Sequence, residues 1–450
     1  MELPDVVDTI LQHISSIDFP ATELKISLSQ ASKTYMGGLL SAHELLTGPL
    51  SHLASNKSAV AALLTQAQTL ADSLSFAFDT PSHLPQNNLL LKPRPKHRRV
   101  ATTGITSIGT IALEWTHLTT LSQHQSYADL VGRAMGRLWN SKKGGQCEKA
   151  FPDFPGNVLS LKSGNYVSYE GVYVGGAGSF YEYLMKMYIY SPTEYSFYRH
   201  RWTRAVDATM KRLASHPSSR PDLTFLASIN CTDVLYSSDH SAFFAAGNFI
   251  LGGTVLHKPR YVDFGLTLVE SQVELYRSTA TGLGPDRYAW LPAWCNKHPS
   301  KAKLKANPHA CQLPPECANQ TDFYATAGYC VVEPKNMLRP EVLESLYYAY
   351  RATGNRKYQD MSWEIFQAMI RATRVSSGGF SQVADVNVMP ENDGPGGRLD
   401  MMYGFFMAET IKYAYLIHVE EGEWHMQADG RNKWVFNSQA HPLRVRESVV

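Results

Sequence analysis

Paired helices recur along this chain, and that recurrence restricts the fold more than any other feature. Residues 109–123 read as an apolar helix that breaks at a polar turn before Gln125-Ser126-Tyr127-Ala128-Asp129-Leu130. Residues 341–353 do the same before Asn355-Arg356-Lys357-Tyr358-Gln359-Asp360-Met361. Weaker copies join 179–190 to 197–214, 242–252 to 261–277, and 35–47 to 57–77. Each pair spans about 35–50 residues, the period of helical-hairpin repeats. A single hairpin cannot bury its apolar face, so it must stack on its neighbours. The sequence carries no capping repeats, which favours a closed toroid of inner and outer helices over an open solenoid. Long Gly/Pro-rich loops at 78–107, 141–177, 215–241, 278–338 and 374–400 separate the pairs, and loops of that length usually carry function.

Outside the pairs, residues 4–17 place Val6, Val7, Ile10, Leu11 and Ile14 at helical spacing. A second apolar helix covers 28–47 and contains Gly37-Gly38. That pair is costly within a helix, so a close approach by a ligand or by packed chain is expected there. Another apolar helix covers 403–418, followed by a strand-like piece at 433–436.

The formal net charge of +2 over 450 residues gives no reason to expect nucleic acid or a charged membrane surface as partner. No stretch approaches the roughly 18 apolar residues of a membrane span. Of the six cysteines, at 147, 231, 295, 311, 317 and 330, four cluster in a loop-like stretch. Their spacing points to local disulfides more than to zinc and fixes neither. Asn56, Asn230 and Asn319 open Asn-x-Ser/Thr sequons. Sequons and cysteines together lean towards the secretory pathway. Residues 1–20, however, lack both the basic region and the apolar core of a signal peptide.

Arg339 and Pro340 precede an aromatic-rich helix in which Glu341 and Glu344 stand three residues apart, hence on one face. Two acids and an arginine at a helix mouth suit sugar handling. The alternative is a pair of acids satisfying the helix dipole. Glu409 could equally pair with Lys412, and Asp286 after Pro285 could be a turn residue.

Longer motifs go further. The run LRPEVLESLYYAYRATGNRKYQDMSWEIFQAM (338–369) resembles the class I α-1,2-mannosidases of glycoside hydrolase family 47. So do GGLLSAHELL (37–46), LADSLSFAFDTP (70–81), SFYEYLMKMY (179–188), SGGFSQVADVN (377–387), FFMAETIKYAYLIH (405–418) and VFNSQAHPL (435–443). The resemblance covers the whole chain in order and looks nearest to secreted fungal members. It implies an all-α fold over residues 1–450 as one domain. This is an (αα)7 barrel of helical hairpins plugged by a short C-terminal β-hairpin. It implies an inverting hydrolase that removes α-1,2-linked mannose from high-mannose N-glycans, with Ca²⁺ in the barrel, in the secretory pathway and as a monomer. Inversion needs an acid, and a base held far enough away to admit a water.

Position by position, Glu341 matches the base, with Arg339 and Glu344 beside it. Asp286 and Glu182 match pocket acids. Phe405 and Glu409 match an aromatic platform and an acid near the metal. Ser438 stands where the family has the calcium-binding threonine. Other positions depart. The family's SLFETTIRYLGG reads Ser27-Leu28-Ser29-Gln30-Ala31-Ser32-Lys33-Thr34-Tyr35-Met36-Gly37-Gly38 here, so Gln30 replaces the expected catalytic acid and Thr34 an arginine. Gln has no acidic proton to give and Thr cannot make a guanidinium contact. Gly178 replaces a further catalytic aspartate, Tyr403-Gly404 a Glu-Ser, and Gln439 a glutamate. The family's opening helix and DSLDTLWIMG-type segment have no counterpart, so a shortened start and exposed inner faces on the neighbouring helices are expected. Two readings follow from the sequence. One is a mannosidase whose activity is weakened at Gln30 and Gly178. The other is a non-catalytic, glycan-binding or scaffolding relative.

Overall fold

In the computed structural model the described residues are 3–93, 96–97, 100–142, 144, 147, 151, 153–174, 177–296, 307, 310–391 and 397–446. Helices alternate between two rings. The inner helices are nearly devoid of exposed surface. Every residue of Phe244–Val255 is buried, as is every residue of Gly178–Tyr190 except Ser179. Ala112–Ser122 and Glu341–Thr353 bury most of their lengths. The outer helices Lys57–Leu74, Ser126–Trp139, Ser196–Arg212, Pro259–Arg277 and Lys357–Thr373 each bury only one stripe, as an amphipathic helix on a core must.

The five hairpins expected from the sequence are all present, and local chemistry sets their joints. Gly354, at φ +65°, ends Glu341–Thr353 in the left-handed conformation that glycine adopts freely. Pro259 opens its helix at the position where a missing N–H costs nothing. Asn56 caps Lys57–Leu74 by accepting from the N–H groups of Ser58 and Ala59. Pro340, by contrast, sits at the N-cap, one residue before the first helical turn expected for it.

Two inner helices carry an extra residue in one turn. Leu28–Ala31 passes through a π turn at Ser32–Met36 into Gly37–Thr47. A second π turn at Phe406–Thr410 leads into Ile411–Leu416. Such turns re-aim side chains and recur at functional sites. Sequence periodicity gave no warning of either. Tyr35, Met407 and Tyr415 on these two helices are 54%, 60% and 40% exposed.

The hairpin Trp434–Phe436 with Pro442–Arg444 pairs Val435 with Leu443, and all three residues of its first strand are buried. Its turn bridges the first and last inner helices. Asn437 Nδ2 donates to Lys33 O (2.9 Å), and Lys412 Nζ donates to Ala440 O (2.9 Å). This explains Gly37, where a Cβ would collide with the Asn437 amide, while a Cβ at Gly38 would make only ordinary contact with His441. The six cysteines pair as Cys147–Cys231, Cys295–Cys311 and Cys317–Cys330. No helix among the described residues is long and apolar enough to cross a membrane.

Candidate active site

The first residue of Glu341–Thr353 points into the ring. Glu341 Oε2 lies 2.9 Å from His240 Nδ1, and its Oε1 lies 3.8 Å from Arg339 Nη1. Arg339 Nε donates to Asp286 Oδ1 at 2.7 Å. The far nitrogen of His240 meets the Tyr276 hydroxyl, and its backbone N–H donates to Asp286 O at 2.8 Å. Burial acts to raise the Glu341 carboxyl. The His240 hydrogen bond and the Arg339 charge overcome it and hold the group below its ordinary value. The backbone beneath is unusual. Leu338 has φ +60° and is pinned by its N–H to Asn336 Oδ1 (3.0 Å) and by Thr410 Oγ1 to its carbonyl (2.8 Å). A branched residue in that conformation is strained and persists only because the surroundings enforce it.

Deeper in, acids crowd. Lys186 Nζ pairs with Glu182, lies 3.9 Å from Glu344 Oε1, and donates to Asn437 O at 3.2 Å. Tyr413 donates to Glu344 Oε1 at 3.2 Å. Burial raises Glu344 to about 8 against the pull of Lys186, helped by the charges of Glu182 and Glu341. Burial, then the charges of Glu341 and Glu344, drive Glu409 well above the carboxylate range. Glu114 accepts from Tyr183 (2.6 Å) and from Asn437 Nδ2 (2.9 Å), and burial lifts it to about 7.

Ser438 sits at the hairpin turn above these acids, with its N–H donating to the Tyr183 hydroxyl at 3.3 Å. Its Oγ is buried and has no hydrogen-bond partner among the described residues, and neither has Glu114 Oε2. A buried hydroxyl without a partner costs about 1–3 kcal/mol. An orphan hydroxyl and an orphan carboxylate oxygen on two residues that both bond Tyr183 make a donor set that a hard cation would satisfy. The described residues contain no group of three or more His, Cys, Asp or Glu able to ligate a metal directly. The fit therefore rests on the Ser438 oxygens, with the acids acting through water.

Three of the positions that depart from the family pattern, Gln30, Thr34 and Gln439, are joined by hydrogen bonds, and Gly178 lies apart from them. Gln30 is exposed at the rim and donates through Nε2 to Thr34 Oγ1 at 2.8 Å. Thr34 donates to Gln439 Oε1 at 2.5 Å. Gly178 begins its inner helix, and a Cβ there would lie 2.6 Å from Phe244 Cε1 and 2.7 Å from Tyr173 O. Phe405 is half-buried, sits against the exposed Tyr403 at 5.3 Å between ring centres, and precedes the π turn that carries Glu409. The structure thus gathers Glu341, Asp286 and Arg339 in one group and Glu182 and Glu344 in another, adjoining Glu409 and Ser438. Gln30 stays on the rim.

With this geometry in view, the comparisons are decisive. The sequence pattern of Glycosyl hydrolase family 47 matches residues 1–445. This chain belongs to glycosyl hydrolase family 47. It is 40% identical over 440 residues to the mannosyl-oligosaccharide α-1,2-mannosidase 1B of Aspergillus phoenicis, covering 98% of this chain and 80% of that protein. It is 39% identical over 441 residues to the mannosyl-oligosaccharide α-1,2-mannosidase of Penicillium citrinum, covering 98% and 81%. Its fold matches the solved α-1,2-mannosidase from Trichoderma reesei with a TM-score of 0.90 and 41% identity, covering 98% and 87%. The fold is accordingly the (αα)7 barrel of the family. A cellobiose 2-epimerase from Bacillus thermoamylovorans, at 10% identity and a TM-score of 0.53, shares the fold alone.

Four residues that the structure places among these groups were not singled out as site residues from the sequence. His240 follows Asp239, and an Asp-His dipeptide is too common to single it out. Lys186 stands four residues after Glu182, a spacing that could have flagged a buried pair. Glu114 and Asn437 gave no signal outside tertiary contact.

Proposed function

We propose that this family 47 chain is an α-1,2-mannosidase that removes α-1,2-linked mannose from high-mannose N-glycans with inversion. The observation that carries the reading is Glu341 held ionised by His240 and Arg339 at the mouth of the acid cluster. In this role Glu341 takes a proton from the attacking water. Arg339 fixes Glu341 and Asp286 relative to one another. Gln30 cannot donate a proton, so the leaving oxygen receives one from Asp286 or from a water that Asp286 orders. Phe405 offers a sugar face, and Glu182, Glu344 and Glu409 hold hydroxyls and water. Ser438 would hold Ca²⁺ through its hydroxyl and carbonyl, and the bound cation would supply an anchor for sugar hydroxyls. The intact Glu341–Arg339–Asp286 group supports turnover over a purely glycan-binding role. Three disulfides support action in the secretory pathway. We further propose that residues 1–450 act as one domain and as a monomer.

The test is to incubate the purified protein with Ca²⁺ and a high-mannose N-glycan and to follow products by mass spectrometry. Successive loss of hexose that stops when the α-1,2 linkages are spent is the expected result. An unchanged glycan at high enzyme concentration would overturn the reading.

A further inference from the structure

Two consecutive residues of the first π turn grip the two residues that flank Ser438. Lys33 O accepts from Asn437 Nδ2 at 2.9 Å, and Thr34 Oγ1 donates to Gln439 Oε1 at 2.5 Å. The turn is further tightened from within. Asn437 Oδ1 accepts from the N–H groups of Gln439 (2.8 Å) and His441 (3.0 Å). Both grips depend on the π turn at Ser32–Met36, since the added residue sets which backbone carbonyl and which hydroxyl face the hairpin. On the π-turn side, Lys33 contributes a backbone carbonyl and Thr34 a side-chain hydroxyl, so of these two residues Thr34 is the one whose contact a substitution can remove. Its hydroxyl is fully used, because it accepts from Gln30 and donates to Gln439. Gln439 is 4% exposed, so its carbonyl would otherwise face the cost of an unmet acceptor.

We propose that the π turn is a clamp that aims the Ser438 oxygens into the acid cluster, and that Thr34 is a positioning residue for the cation. The proposal rests on the calcium reading of Ser438 given above. Its chemistry is neutral throughout. Gln30, Thr34 and Gln439 make one hydrogen-bonded chain from the rim to the metal side with no charge in it. Orientation of the Ser438 turn comes from this chain, while the negative charge that favours a cation comes from Glu182, Glu344 and Glu409.

The test is calcium affinity by calorimetry, with thermal unfolding in the absence of calcium measured alongside. Thr34→Val keeps the shape and removes the hydroxyl, and affinity falls about tenfold, equivalent to ~1.4 kcal/mol. Thr34→Ser restores affinity to within about threefold. Gln439→Met breaks the same bond from the other side. The double variant loses no more than the single variants, because coupled partners are not additive. Thr254→Val, which removes a buried hydroxyl bonded to Ile250 O within the helix Phe244–Val255, lowers stability and leaves calcium affinity unchanged. Should Thr34→Val fail to fold, Gln439→Met against Thr254→Val carries the same comparison. Wild-type affinity in Thr34→Val, or additive losses in the double variant, overturns the clamp while leaving the calcium reading intact. No calcium binding by the wild-type protein overturns the calcium reading, and the clamp falls with it.

Discussion

Two hydrogen-bonded groups, here called the charged and the neutral wall, are built on different chemistry. On one, Glu341, Arg339, Asp286 and His240 form an unbroken run of charged and hydrogen-bonded contacts between 2.7 and 3.8 Å. On the other, Gln30, Thr34 and Gln439 are equally well connected, at 2.8 and 2.5 Å, yet carry no charge. The difference shows how a pocket can keep its shape while giving up a proton donor. The neutral replacements satisfy one another, Gln30 donating to Thr34 and Thr34 to Gln439, while the buried Ser438 Oγ beside them stays without a partner among the described residues. At Gly178 the change is one of volume, because Phe244 and Tyr173 occupy the space a side chain would need. Chemistry on the charged wall is therefore separable from architecture on the neutral one.

That separation can be broken by substitution, most severely at Glu341. Glu341→Gln removes the proposed base and leaves His240 without an anion. Steady-state kinetics on an α-1,2-linked mannobiose should show kcat reduced about 10²–10⁴-fold with little change in KM. Arg339→Leu is expected to cost less, about 10–100-fold in kcat/KM, which is ~1.4–2.7 kcal/mol of transition-state stabilisation. Losing the arginine charge raises the Glu341 carboxyl, so the acid limb of the pH–rate profile should move to higher pH. An unmoved limb would show that Arg339 does not act through Glu341.

The neutral wall should respond in stability. Gly178→Asp places a Cβ against Phe244 and backbone, and overpacking of this kind costs about 1–3 kcal/mol. A fall in the unfolding midpoint with no gain in kcat is expected. Restoring the aspartate would then not restore a catalyst, contrary to what the sequence suggested for this position.

The smallest effect is the most diagnostic for the deep acids. Glu344 is raised to about 8. A carboxyl whose folded value lies above its unfolded value binds its proton more tightly in the folded protein. It stabilises below about 4.5, and that stabilisation is lost as pH rises towards 8. Calcium-free protein should therefore lose stability across this window, and added calcium should stabilise more at pH 8 than at pH 5. Equal stabilisation at both values would contradict a cation partnered with these acids.

Much of this was legible in the sequence, for physical reasons. The five hairpins showed because helical period and polar breaks are local properties. Glu341, Glu344, Arg339 and Asp286 showed because they sit in long motifs. The π turns did not show, since one inserted residue leaves the apolar period nearly intact. Glu114 and Asn437 did not show because their roles exist only where separate helices and the hairpin meet. Gln30, Thr34 and Gln439 read from the sequence as departures within one pocket, without any bond between them. Only the fold reveals that they touch, as positions 34 and 439 lie far apart in sequence. The cysteine pairing was likewise open until the loops were placed.

The central claim is that the charged wall alone suffices for inverting hydrolysis. Proton NMR of an α-1,2-linked mannobiose during the first minutes of reaction tests it most directly, because it reads the anomer released before mutarotation. β-Mannose appearing first from the wild-type protein, and absent with Glu341→Gln, is the predicted result. α-Mannose appearing first, or equal release by the two proteins, would contradict the account.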